Sequence, residues 1–119
     1  MGIDPVIGRA AIELQLGRSL QGRLAALAAG RPLVIDYFAS RVRGVVVGDL
    51  TVNFGDPPAE PCFIQLESLD GVVVLAQRRL LDLLDGAELV ETGPPWRRHP
   101  ALVLARPEDW IEFLGHQGY

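Results

Sequence analysis

Hydrophobic positions along this chain repeat with two periods, and the switch between them predicts its elements. Residues 18–29, RSLQGRLAALAA, set Leu20, Leu24 and Leu27 at i, i+4 and i+7, the apolar stripe of one helix. Gly30 is its stop, with Pro32 just beyond, while Gly22 inside the stretch costs about 1 kcal/mol relative to Ala. Ahead of it, residues 11–15 alternate with Ile12 and Leu14 on one side, a short strand. After Pro32 the period falls to two. Residues 33–38 are strand-like, 44–48 are rich in valine, and Leu50, Val52 and Phe54 alternate with Thr51 and Asn53. Gly55-Asp56-Pro57-Pro58 ends that run as a turn. Residues 63–67 alternate with one wet face, and Ser68-Leu69-Asp70-Gly71 is a hairpin turn into 72–76, a strand expected to be buried on both faces.

Residues 77–85 form a second short helix with Leu80, Leu81, Leu83 and Leu84 inward and Gly86 as its stop. Residues 87–91 and 101–105 are strands around the rigid turn Gly93-Pro94-Pro95. Pro107 opens a final helix, with Glu108 and Asp109 at its positive end and Trp110, Phe113 and Leu114 on one face. Six or seven short strands with three short helices predict a mainly β fold with helices at its edges.

Composition narrows the function classes. The 119 residues fit a single domain, and 49% apolar with 22% charged residues suffices for a core without disulfide or metal. The formal net charge is −4, the wrong sign for a dedicated nucleic-acid or anionic-membrane binder. All eleven basic residues are Arg, which excludes Schiff-base lysines and a P-loop lysine. Cys62 stands alone, so no internal disulfide forms and no cysteine-rich metal site is available. Residues 1–16 carry Asp4, Arg9 and Glu13, unlike a signal peptide. The longest apolar runs fall far short of the ~20 residues that span a membrane. A cytoplasmic protein is expected, and the Lys-free, Arg/Ala/Gly/Pro-rich composition suggests a bacterial genome of high GC content.

Residues 71–91, GVVVLAQRRLLDLLDGAELVE, resemble the HesB-like domain, the fold of the A-type iron–sulfur carrier proteins. A buried strand, a short leucine-containing helix, an acidic-Gly turn and a further strand follow in the family's order. IELQ at 12–15 and the helix after it resemble the family's opening, and RGVVVGDLTVNF at 43–54 its Gly-aromatic hairpin, with Gly44 on the family glycine. ALVLARP at 101–107 resembles its last strand. The resemblance covers residues 12–107 and implies a HesB-like β-sandwich or partial barrel, one domain over 1–119. It carries no ligand with it. The family binds iron or a cluster through three cysteines, and their positions fall at Val42 and near Phe113 and Gly115. Cys62 lies on none of them. The resemblance thus implies the scaffold without the iron–sulfur cluster: a non-enzymatic binding or assembly module, with a homo-oligomer as one form it would take.

Several residues carry candidate chemistry. Arg41 and Arg43, two apart, would face one side of a strand and flank Val42, making a cationic pocket for a small anion. Arg97, Arg98 and His99, beside Trp96, would join it, since guanidinium forks suit carboxylate and phosphate, and such an Arg/His-lined pocket would serve an anion-binding protein or a small enzyme. Ordinary edge-strand and loop charges are the competing explanation. Cys62, in a proline-rich loop, is either a reactive thiol, or a small apolar residue at a strand start, with nothing cationic beside it in sequence. Carriage of a cluster by Cys62 at a dimer interface would need His99 or an outside thiol to complete the ligand set. Asp36-Tyr37 is weak as an acid/base pair because strand neighbours face opposite ways. Ser40 lacks a nucleophile motif, His116 sits near the end of the chain, and Arg78-Arg79 is simplest as the solvated side of a helix. A small anion or a protein is the expected partner.

Overall fold

The computed structural model describes residues 12–57 and 62–116. Among them, seven strands form two sheets. The larger holds β2 (Leu33–Val42), β3 (Val45–Phe54), β4 (Phe63–Leu69) and β5 (Val72–Gln77) in the order β3-β2-β5-β4. The smaller holds β1 (Gln15–Leu16), β6 (Glu88–Thr92) and β7 (His99–Val103) in the order β1-β6-β7. The β2/β5 and β1/β6 pairs are parallel and the others antiparallel. Helices α1 (Leu24–Ala28), α2 (Leu81–Leu84) and α3 (Glu108–Gly115) are short. The mainly β architecture expected from the alternation is the one found.

The core follows from strand parity. Leu33 and Ile35 of β2, Leu66 of β4 and Val74 and Ala76 of β5 point to the same side and are buried. Leu89 of the smaller sheet, with Leu20, Leu24, Leu80 and Leu84 from the helical segments, closes over them. Each fully buried leucine contributes roughly 1.5–3 kcal/mol relative to exposure. On the other face of β5, Leu75 is buried but Val73 is 39% exposed. Thus β5 is not covered on both faces along its length.

Two predicted helices break in the same way. Residues 18–29 split into a 3-10 turn (Arg18–Leu20) and α1, because Gly22 between them takes φ +78°. Leu20 and Leu24 remain fully buried, with Ala28 rather than Leu27 completing the covered side. Residues 77–85 likewise open with a 3-10 turn (Arg78–Leu80), capped by the Gln77 side chain, before α2. The two strands suggested within residues 44–54 join as the single strand β3, with Gly44 left in the turn before it.

Both hairpins of the larger sheet close through two-residue turns with positive φ. Asp70-Gly71 has +51° and +78°, and Arg43-Gly44 has +52° and +79°. Such turns carry the twist of the strands they join. Finally, α3 docks by an aromatic cluster: Trp110 stacks on Phe113 at 5.4 Å, and Tyr37 meets both rings edge-on. No helix among the described residues is long and apolar enough to cross a membrane.

Candidate functional site

The Arg41/Arg43 pair does not form as the alternation suggests. Arg41 is the next-to-last residue of β2, in register with Val46. Arg43 lies beyond the strand, in the left-handed turn position, so the rule of alternate faces stops at Val42. Both are exposed at the hairpin tip.

Arg97, Arg98 and His99 lie at the β6–β7 connection. The Arg97 amide donates to the Pro94 carbonyl at 2.9 Å, and the Arg98 guanidinium donates to the Gly93 carbonyl at 3.0 Å. Arg98 also stands 3.6 Å from the Glu91 carboxylate, which accepts from Arg23 at 2.7 Å. The Glu91 side chain is 2% exposed, so this group ties the entry to α1, strand β6 and the following turn together. Arg98 is thereby committed to the scaffold. His99 pairs with Thr92 and faces a shallow groove shared with Asp49, Thr51 and Asn53 of β3. Trp96 covers nothing: it is 85% exposed.

The chemistry-bearing residues converge elsewhere. Strand β5 ends at Gln77, whereas its parallel neighbour β2, paired with it over residues 33–35, runs on to Val42. Beyond that point β2 has β3 on one side and, among the described residues, no strand on the other. The chain leaving β5 turns there as the Arg78–Leu80 segment, and a cleft of about 490 Å³ opens between them. Asp36, Tyr37, Cys62, Gln77, Arg78 and Arg79 line it, together with Phe38 and Ala39.

Its geometry is held by a chain of hydrogen bonds. The Arg78 amide donates to the Cys62 carbonyl at 2.7 Å, and Gln77 Nε2 donates to Cys62 Sγ at 3.4 Å. Gln77 Oε1 accepts from the Arg79 amide at 3.2 Å, and the Arg79 guanidinium reaches the Tyr37 hydroxyl at 3.5 Å. The Asp36 carboxylate accepts from the Tyr37 amide at 2.8 Å. Asp36 and Tyr37 do point to opposite faces of β2, yet both border the cleft because it opens along the strand's free edge.

Nothing cationic adjoins Cys62 in sequence, but the fold brings Arg78 and Arg79 beside it. A signal for this exists. The register Phe63↔Gln77 sets residue 62 across from residue 78, and the Asp70-Gly71 turn alone would have placed it within one residue of there. A shift between Leu66 and Leu69 supplies the difference.

Two guanidiniums against one carboxylate give the cleft a positive bias, with amide, phenol and thiol groups between. Neither histidine lines it, so the thiol has no imidazole base there. The arrangement suits binding of an anion better than nucleophilic catalysis. Of the positions that the resemblance sets against the family's cysteines, Val42 ends β2, Phe113 is stacked on Trp110, and Gly115 closes α3. Among the described residues, no three His, Cys, Asp or Glu side chains group to hold a metal ion. No family model, curated protein or solved structure matches the chain.

Proposed function

We propose that the protein is a non-catalytic binding module that takes a small anion, through a phosphate or carboxylate group, into the cleft beside Arg78 and Arg79. The observation that carries this is the convergence of two adjacent guanidiniums with Gln77, Tyr37 and Cys62 where β5 ends. Each solvent-exposed ionic contact contributes about 1 kcal/mol or less, so the pair acts together. Arg presents a planar fork matched to both groups, which a compact point charge does not. Asp36 on the opposite wall repels negative charge and orients the ligand with its neutral or cationic part toward β2. The resemblance of residues 71–91 to the HesB-like domain, with no cysteine at Val42, Phe113 or Gly115, supports the same role without a cluster.

Calorimetric titration with inorganic phosphate, pyrophosphate and citrate tests this and separates phosphate from carboxylate recognition. Arg79→Gln and Arg78→Gln are each expected to weaken binding by up to about fivefold, with Arg43→Ala unchanged. Loss of binding in Arg43→Ala with Arg79→Gln intact would move the site to the hairpin tip and the Arg97–His99 turn. No binding by any of the three probes would contradict the proposal.

A further inference from the structure

The anion cleft shares its Asp36 wall with a second recess. On the side of β2 away from β5, a hollow of about 220 Å³ opens over the β2–β3 pair, bordered by Asp36, Thr51, Asn53 and Asp56. Register explains the sharing. Val34 pairs with Asn53 and Asp36 with Thr51, and parity puts these side chains on the face opposite to the buried Leu33 and Ile35. Toward the other edge, Ile35 is the last β2 residue paired with β5, opposite Ala76. Asp36 is thus the first residue past that pairing, and its counterpart on β5 is Gln77, with Arg78 and Arg79 next in the chain.

The two hollows differ in sign. Two guanidiniums border the cleft. Among the described residues, no basic side chain borders the recess, which offers the Asp36 and Asp56 carboxylates, the Thr51 hydroxyl and the Asn53 amide. One Asp36 oxygen accepts from the Tyr37 amide at 2.8 Å, and a carboxylate keeps further lone pairs for a second donor. An ammonium group brings three donors and one positive charge, matched to such a set of oxygens. A ligand that is only an anion gains at Arg78 and Arg79 but meets repulsion at Asp36. One that also carries an ammonium group turns that repulsion into attraction.

We propose that the ligand is a small zwitterion, with its phosphate or carboxylate group beside Arg78 and Arg79 and its ammonium group in the recess that Asp36 and Asp56 border. This rests on the reading of the cleft as an anion site and adds the second charge. Strand geometry sets the size of the ligand. Neighbouring strands lie ~4.8 Å apart and successive residues ~3.3 Å, so a linker of about two to four atoms between the charged groups reaches from Asp36 to the first guanidinium.

Calorimetric titration with matched probes that differ only in the amine tests this: O-phosphoethanolamine against ethyl phosphate, and 4-aminobutyrate against butyrate. The pair that binds more tightly identifies the anionic group. Within that pair the amine is expected to tighten binding about tenfold, since two exposed ionic contacts contribute up to about fivefold each. Asp36→Asn and Asp56→Asn should each shrink this ratio about threefold, and the double variant should abolish it, with circular dichroism confirming the fold. Because the ratio is taken within one protein, a general loss of affinity or stability leaves it unmoved. Asp36→Asn should also tighten binding of the amine-free probe. Equal affinities within each pair for wild type, or a ratio unchanged in the double variant, would overturn the zwitterion proposal. The anion reading would then survive if Arg79→Gln still weakened both members of a pair. Absence of binding by all four probes would overturn both.

Discussion

The Glu91 carboxylate offers a test of how this scaffold is held, because its partners are much more exposed than it is. Its side chain is 2% exposed, whereas those of Arg23 and Arg98 are 54% and 46% exposed. Oε1 accepts from Arg23 at 2.7 Å and lies 3.6 Å from Arg98, while Oε2 is buried with no hydrogen-bond partner among the described residues. Arg23→Ala therefore leaves a buried carboxylate with one neighbour beyond good hydrogen-bond distance. Removing one member of a fully buried pair costs about 3–5 kcal/mol. Here Arg98 swings closer and water reaches the vacated side, so about 2–3 kcal/mol is expected. Glu91→Leu acts differently. It removes both oxygens at similar volume, frees two half-exposed guanidiniums into water, and leaves the Arg98 bond to the Gly93 carbonyl intact. The cost should stay within about 1 kcal/mol, since well-packed apolar replacements of buried charges are often nearly neutral. Reversible urea unfolding followed by circular dichroism measures both, with roughly 4 °C in Tm for each kcal/mol at this length. Equal losses in the two variants, or a Glu91→Leu protein less stable than Arg23→Ala, would refute the reasoning.

Other substitutions probe the hairpin. A Cβ on Gly48 would collide with the Phe38 carbonyl oxygen of the paired strand and press on Ala39, so Gly48→Ala should cost about 1–3 kcal/mol in the same assay. Arg43 occupies a left-handed position at φ +52°, and Arg43→Asn should stabilise the protein by about 0.5–1 kcal/mol, because Asn tolerates that backbone.

Much of this fold is written in local pattern. Asp70-Gly71 between two alternating runs specifies a tight hairpin, and β4 and β5 follow it. Leu20, Leu24, Leu80 and Leu84, placed inward by helical spacing, are all fully buried. Where local pattern misleads, a backbone position is responsible. Arg43 continues the alternation by eye, yet the turn needs two residues of positive φ and takes it from the strand. Gly22 looks like a tolerable helix residue but supplies the left-handed step that divides the segment. The site was harder to see because no single stretch contains it. Asp36 and Tyr37 come from β2, Cys62 from the approach to β4, and Arg78 and Arg79 from the exit of β5. Only sheet order and register bring them together. Arg98, conspicuous beside His99, is occupied by Glu91 across 7 positions of sequence, a pairing that β6–β7 folding creates.

An amide-resolved NMR titration with pyrophosphate tests the central claim most directly. Binding in the cleft predicts saturable shifts at Asp36, Tyr37, Gln77, Arg78 and Arg79, with Arg43 and His99 unmoved and the response lost in Arg79→Gln. Shifts confined to Arg41, Arg43 and the Arg97–His99 turn, or none that saturate, would contradict it.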